Sequence, residues 1–308
     1  MPALEGLHHI TAITADAAPN VDFYARLLGL RFVKKTVNFD SPDVYHLYYA
    51  DEHGTPGSVL TFFEFPEAAR GQHGEGMPYS IAWRAASEAA LEFWSERLAG
   101  EGVAVTRGDD GSVEFADPEG LEHVLIVDDV PDAPLAAAAP DIPAEHALQG
   151  FAGVRAYGSQ PGASAPLLEA LGFAPTGDAS WELAGDSRRG SWRYDTPSQR
   201  GRQGAGSIHH VAWSAADDAE LERFSAIAAE AGARPTPIID RQYFHSVYFR
   251  EPSGVLFELA SRDIGFTVDE PLESLGEELK LPPQYEDRRA VIEQRLTPIS
   301  NPRAASAA

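Results

Sequence analysis

The chain of 308 residues is 44% hydrophobic and contains no cysteine, and its formal net charge is -23. This length and apolar content suffice for two packed cores, whereas the missing cysteines exclude disulfides and the negative charge excludes nucleic acid as a partner. Because no apolar run approaches the ~18 residues of a membrane span and residues 1–5 do not resemble a signal peptide, we expect a cytoplasmic protein without membrane contacts.

The first predicted unit reads as a strand, a helix and three further strands. A strand near residues 6–13 precedes a helix near residues 18–29, whose apolar residues recur at helical spacing and whose last residue, Gly29, suits a helix C-cap. The three strands that follow are rich in Val, Tyr, Phe and Thr, as strands usually are, and lie near residues 31–38, 44–50 and 57–64.

The same unit recurs along the chain. The segment that begins at Arg70 aligns with the one that begins at Arg200, and Leu28-Gly29-Leu30 corresponds to Leu171-Gly172-Phe173. The sequence therefore predicts an α+β protein with four βαβββ modules that form two curved-sheet or barrel domains.

Two segments fall outside the repeats and set the predicted domain boundaries. Residues 129–147, rich in Ala and Pro, form a linker between an N-terminal half (1–128) and a C-terminal half (148–262), each with two modules. Residues 263–308 form a tail with one helix after Pro282-Pro283. We expect the tail to cover one barrel or to form a subunit contact in a homo-oligomer.

Two pairs of neighbouring histidines and one glutamate are candidate metal ligands. His8-His9 and His209-His210 each open a short apolar strand, and Glu258 lies between Phe and Leu in a third strand. A carboxylate in such surroundings is costly to bury without a partner. Two imidazoles and one carboxylate form the facial triad of non-haem Fe(II) oxygenases, although a single strand histidine is more often a hydrogen-bonded core or surface residue.

The repeat strengthens the metal hypothesis. The second and third modules have small residues, Ser80 and Gly153, at the position that His9 and His210 occupy in the first and fourth. At the position of Glu258, the first three modules have residues that we do not expect to bind a metal: Thr61, Val124 and Tyr194. Ligands therefore occur only in the outer modules, which we expect to share one sheet. Because alternate strand residues point to opposite faces, one histidine of each pair is the ligand.

Together these motifs resemble the vicinal oxygen chelate superfamily, which includes glyoxalase I, bleomycin-resistance proteins and extradiol ring-cleaving dioxygenases. Leu-His-His-Ile-Thr at 7–11, Ile-His-His-Val-Ala at 208–212 and the tail after residue 262 resemble the hydroquinone ring-cleaving dioxygenases in particular. The resemblance spans residues 6 to about 300. It implies that His9, His210 and Glu258 hold Fe(II), with Mn(II) as the alternative ion.

The resemblance also implies the reaction and the residues around the metal. The expected function is extradiol-type cleavage of a hydroquinone or other dihydroxylated aromatic ring with O2. The implied pocket residues are His8, Thr11, His209, Arg241 and Tyr248. We assign proton transfer to Tyr248, with His209 or His8 as its partner, charge stabilisation to Arg241, and substrate contact to Thr11. From its place three residues before Tyr248, His245 is a further candidate for substrate contact.

Two alternatives remain open at this point. A glyoxalase-type isomerase or lyase would use four ligands, often two of them glutamates, but the first module has Thr61 where a second carboxylate would be needed. A non-catalytic protein that binds a small molecule, as drug-resistance proteins do, would have no reason to retain three ligands. The remaining histidines are predicted to be surface or loop residues: His46, His53, His73, His123 and His146.

Overall fold

The computed structural model describes residues 4–302. Its first module contains the strands β1 (Leu7–Thr14), β2 (Arg31–Asn38), β3 (Ser41–Ala50) and β4 (Val59–Glu64) and the helix α1 (Ala17–Val21). The Asp16 side chain caps α1 by accepting a hydrogen bond from the Ala18 amide. The predicted helix 18–29 is wrong in detail, because α1 continues as a π-helical segment, Asp22–Leu27, before Gly29 adopts a φ of 69° and ends it.

The other three modules repeat this order. The second contains β5 (Met77–Ala85), α2 (Glu88–Gly100), β6 (Val105–Arg107), β7 (Val113–Ala116) and β8 (Glu122–Val127). The third contains β9 (Phe151–Tyr157), α3 (Pro161–Ala170), β10 (Ala174–Gly177), β11 (Ser180–Ala184) and β12 (Arg189–Asp195). The fourth contains β13 (Ser207–Ala215), α4 (Asp218–Glu230), β14 (Ile239–Asp240), β15 (His245–Arg250) and β16 (Leu256–Ser261).

The modules combine into two curved eight-stranded sheets, as the sequence predicts. The first and fourth modules form one sheet in the order β14-β15-β16-β13-β1-β4-β3-β2, and the third and second form the other in the order β10-β11-β12-β9-β5-β8-β7-β6. The two halves of the first sheet meet where β1 pairs antiparallel with β13. Each sheet therefore contains one module from each half of the chain.

Apolar side chains between the sheets and helices form one extended core and a smaller second cluster that includes Tyr48 and Tyr243. The largest fully buried members of the extended core include Trp83, Trp94, Trp192 and Trp213. The two glycine-containing segments that lead into β5 and β13 run beside each other, and the amide of Gly71 donates to the carbonyl of Ala205 over 2.8 Å. These segments thereby connect the two sheets.

The C-terminal tail packs along β2, at the edge of the first sheet. Lys34 of β2 is fully buried, and its Nζ donates to Asp269 over 2.6 Å and to Glu270 over 2.7 Å. Farther along, the amide of Lys280 donates to the carbonyl of Lys35 over 2.9 Å. The tail forms three short 3-10 segments and one helix: Phe266–Val268, Leu272–Ser274, Pro283–Arg288 and α5 (Arg289–Arg295). Within residues 4–302, no helix is long and apolar enough to cross a membrane.

Candidate metal centre

Three neighbouring strands bring His9, His210 and Glu258 to one face of the first sheet. His9 on β1 pairs with Ala212 on β13, which in turn pairs with Glu258 on β16. His210 lies two residues before Ala212, so its side chain is on the same face. All three side chains are buried, with relative exposures of 2%, 4% and 0% respectively.

The potential ligand atoms of these residues converge on one point. Glu258 Oε2 lies 2.9 Å from His210 Nε2 and 3.2 Å from His9 Nε2, and the two imidazole nitrogens are 3.3 Å apart. Among residues 4–302, no other group of three or more His, Asp or Glu side chains is arranged to hold a metal ion. The second carboxylate oxygen, Oε1, accepts a 2.5 Å hydrogen bond from Ser246, whereas the buried Oε2 makes none.

This arrangement fits a bound cation. Burial opposes the ionisation of Glu258, but the two histidines outweigh it and hold the pKa of this carboxyl well below its usual range. Oε2 of this carboxylate has no hydrogen bond and lies beside two imidazole nitrogens, so its negative charge is costly unless a protonated imidazole or a metal ion lies with it. Two nitrogens and one carboxylate oxygen are the ligand set of a facial triad.

His8 determines which nitrogen of His9 is free to bind a metal. Its Nε2 lies 3.0 Å from the Ser261 carbonyl, which can only accept, and its Nδ1 lies 2.9 Å from His9 Nδ1. Burial and the neighbouring His9 lower the pKa of His8 to about 3, so the ring is neutral and Nε2 carries its only proton. His9 must then donate from Nδ1, which leaves a lone pair on His9 Nε2 directed at the metal position.

His209 stands in the same relation to His210. Their Nδ1 atoms are 2.8 Å apart, and burial together with His210 lowers the pKa of His209 to about 3. When His210 presents its Nε2 lone pair to a metal, its Nδ1 proton is donated to His209 Nδ1. The proton of the neutral His209 ring is then on Nε2.

A cavity of about 360 Å³ opens beside this cluster. Of the residues predicted around the metal, Thr11, His209, Arg241 and Tyr248 line it, whereas His8 lies behind His9. The structure does not bring His245 into the cavity: its Nδ1 lies 2.7 Å from Asp218 Oδ1, at the start of α4.

Arg241 and Tyr248 form one polar pair in the cavity wall. Arg241 Nε donates to the Tyr248 hydroxyl over 3.2 Å, and the guanidinium lies 5.3 Å from the centre of the Tyr248 ring. Burial and the charge of Glu258 raise the pKa of Tyr248 in spite of Arg241, so its phenol stays protonated at neutral pH. Tyr248 can therefore donate a hydrogen bond from its hydroxyl.

Two histidines that were predicted to lie at the surface or in loops instead lie on strands β3 and β8. His46 lines the cavity with Tyr48, and His123 is fully buried in the second module, where the hydroxyl of Tyr24 lies 3.0 Å from its Nε2. The sequence signal that could have revealed His46 is its spacing of two residues from Tyr48 on β3, because residues two apart on a strand lie on the same face. Phe63 and Phe244, which the sequence analysis did not single out, complete an apolar wall.

The second sheet has no equivalent cluster. Its strand pairing places Ser80, Gly153 and Val124 at the equivalent positions, as predicted from the repeat. In the third module, the prediction that Tyr194 is the counterpart of Glu258 is wrong by one residue. The strand pairing aligns Arg193 with Arg155, as it aligns Thr61 with Thr11 in the first module. Among the described residues, the candidate metal site is therefore confined to the sheet formed by the first and fourth modules.

Comparison with known proteins gives a consistent family match. The model of the Glyoxalase/Bleomycin resistance protein/Dioxygenase superfamily matches residues 6–125 and 159–259. "Putative ring-cleaving dioxygenase MhqO" of Bacillus subtilis strain 168 is 40% identical over 301 residues, which cover 95% of this chain and 96% of that protein. The chlorohydroquinone/hydroquinone 1,2-dioxygenase of Sphingobium indicum is 33% identical over 312 residues, with 92% and 93% covered.

Solved structures show the same fold. The crystal structure of a "putative dioxygenase" from Bacillus subtilis is 38% identical and superimposes with a TM-score of 0.91, covering 98% of this chain and 99% of that one. Glyoxalase I from Zea mays superimposes with a TM-score of 0.59 at 15% identity, covering 89% of this chain and 97% of the other, and so shares the fold.

Proposed function

The chain belongs to the Glyoxalase/Bleomycin resistance protein/Dioxygenase superfamily, and we propose that within it this protein is an Fe(II)-dependent, extradiol-type ring-cleaving dioxygenase. Its substrates are a hydroquinone-type aromatic diol and O2. The relatives named as ring-cleaving and hydroquinone dioxygenases, which match over nearly their full length, support this proposal.

One observation carries the proposal: a buried cluster of His9, His210 and Glu258 faces a cavity with aromatic walls. Three protein ligands leave open positions on the ion, which is what a reaction between two bound small molecules requires. Mn(II) would fit the same ligands. When bound, Fe(II) supplies coordination positions for a diol oxygen and dioxygen and a path for electrons between them.

The residues around the cluster would orient the substrate and supply protons. Phe63 and Phe244 form apolar surfaces that suit a flat ring. Tyr248 holds a proton at its hydroxyl for transfer to an oxygen of the opening ring, and Arg241 fixes that hydroxyl and offers positive charge to the oxygen. His209, which lines the cavity, carries a second proton on its Nε2 when His210 binds the ion.

The structure supports the glyoxalase-type alternative less well. Thr61 occupies the position of a fourth ligand, and its hydroxyl donates to Thr11 over 2.9 Å rather than pointing to the cluster. A protein that only binds small molecules would gain nothing from two histidine pairs that orient imidazole nitrogens toward one point.

Oxygen uptake by anaerobically Fe(II)-loaded protein tests the proposal, with hydroquinone, methylhydroquinone and catechol supplied in turn. We expect rapid uptake with a hydroquinone and at least a 100-fold loss in His210→Ala, because removal of one ligand disrupts the metal site. His53→Ala is the matched control, since His53 is exposed. No uptake with any diol, despite one metal ion bound per chain, would favour the glyoxalase-type reaction.

A further inference from the structure

A row of hydrogen-bonded side chains crosses the first sheet away from the metal cluster. Tyr48 on β3 pairs with Thr61 on β4, Thr61 pairs with Thr11 on β1, and Thr11 pairs with His210 on β13. The row therefore starts beside a candidate metal ligand and ends on the far wall of the same cavity. His46, two residues before Tyr48, lies on the same face.

The hydrogen bonds in this row have a single direction. Thr61 donates its hydroxyl proton to Thr11 over 2.9 Å, so the contact of 2.9 Å between Thr61 and His46 Nε2 must be donated by the histidine. The neutral His46 ring then has a bare Nδ1, which accepts from the Tyr48 hydroxyl over 2.8 Å. Burial, reinforced by the nearby His9 and His210, lowers the pKa of His46 well below its usual range, which agrees with a neutral ring.

The two ends of the row have opposite hydrogen-bonding character. Tyr48 has used its proton, so its oxygen offers a lone pair to the cavity. Thr11 accepts from Thr61, so its hydroxyl proton is available at the metal end, and its side chain donates no hydrogen bond to the described residues 4–302. Both residues line the cavity, whereas Thr61 is buried behind it.

We propose that Tyr48, held by His46 and Thr61, binds the second hydroxyl group of the diol, the one that lies across the ring from the metal. Thr11 donates to the oxygen at the metal end, and Tyr48 accepts from the protonated oxygen at the far end. This subsite selects a para-diol over a catechol, whose two neighbouring oxygens both reach the metal end. The inference rests on the proposed function, because it takes a dihydroxylated ring as the ligand.

Binding without turnover isolates this subsite. The dissociation constants of hydroquinone, 4-methylphenol and catechol are measured by calorimetry on the full-length, Fe(II)-loaded protein without oxygen. The methyl group of 4-methylphenol has nearly the shape of the hydroxyl group but cannot donate. We expect Tyr48→Phe to reduce the preference for hydroquinone over 4-methylphenol by about 2- to 10-fold, the value of one neutral hydrogen bond, and to leave catechol binding unchanged.

Two further variants separate this role from a general loss of packing. Tyr49→Phe makes the same chemical change on the same strand but on the opposite face, where the hydroxyl donates to Asn20, and should keep the wild-type preference. Thr61→Val removes the link to His46 without altering a cavity-lining residue, and should lower the preference in the same direction as Tyr48→Phe.

The outcomes distinguish this inference from the proposed function. Oxygen uptake with hydroquinone, together with an unchanged preference in Tyr48→Phe, would overturn the subsite and leave the ring-cleaving reaction standing. A reduced preference in Tyr48→Phe without oxygen uptake by the wild type would support the subsite and overturn the reaction. Failure of the wild-type protein to bind any of the three phenols would overturn both.

Discussion

Replacing His8 with phenylalanine should weaken metal binding although His8 does not touch the metal position. The change keeps a buried aromatic ring but removes the acceptor, 2.9 Å away, that holds the proton of His9 on Nδ1. His9 can then carry its proton on Nε2, where it blocks coordination. Loss of such a partner typically weakens metal affinity by about 10- to 100-fold, which corresponds to about 1.4 to 2.7 kcal/mol.

Anaerobic competition against a fluorescent chelator measures this affinity directly. His53→Phe, an identical substitution at an exposed loop position, is the control and should bind metal as the wild type does. His8→Asn returns an acceptor oxygen near the position of Nδ1 and should recover part of the affinity. Wild-type affinity in His8→Phe would refute the argument that His8 orients His9, as would an equal loss in His53→Phe.

Three further changes test other parts of the structure. A divalent metal at 100 times its dissociation constant should raise the unfolding free energy of the wild type by about 2.7 kcal/mol, as measured by denaturant unfolding. The same metal concentration should not stabilise Glu258→Gln. Equal stabilisation of both proteins would mean that the metal binds elsewhere. Asp269→Asn should lower the unfolding free energy by about 1.5 to 3 kcal/mol, because Asp269 binds the buried Lys34. The same variant should raise the KM for the diol, because Asp269 also holds Gln242, the neighbour of Arg241. An unchanged KM would show that the tail does not affect the cavity. Burial lowers the pKa of His123 to about 3, so only the unfolded chain binds a proton at this side chain as the pH falls from 7 to 5. The unfolding free energy of the wild type should therefore fall by about 2 kcal/mol more than that of His123→Gln over this range. An equal dependence of the unfolding free energy on pH in both proteins would contradict this prediction.

The sequence was sufficient to predict the four modules and the pairing of the outer two. Both follow from a repeat whose positions are read directly, and His9 and His210 stand out because their counterparts Ser80 and Gly153 cannot serve the same role. The convergence of three side chains then needs only the alternation of a strand and the adjacency of β1, β13 and β16.

The errors at the cavity and in the third module have a common physical origin in strand register. His46 and Tyr48 face the cavity only because β3 pairs with β4 in one particular register, which depends on the turn between them. A slip of one residue moves every side chain to the other face, which is why counting along the third module gave Tyr194 instead of Arg193. Ser246 and Tyr248 lie on the face of β15 that carries the cluster, so His245, the residue before Ser246, lies on the opposite face and points away from it.

The tail illustrates a different limit. Its helix was predicted from local pattern, but its packing on β2 depends on Lys34, whose buried ammonium is paired with Asp269 and Glu270 more than 230 residues later in the chain. No local pattern relates these residues, so their contact follows only from the assembled sheet.

The most direct test of the central claim is the mass of the product formed from hydroquinone by the Fe(II)-loaded protein under 18O-labelled dioxygen. A ring-cleaving dioxygenase at His9, His210 and Glu258 predicts a ring-opened product with the mass of the substrate plus one dioxygen molecule, with label in its new carboxylate. Formation of benzoquinone and hydrogen peroxide, with no oxygen added to the carbon skeleton, would contradict it.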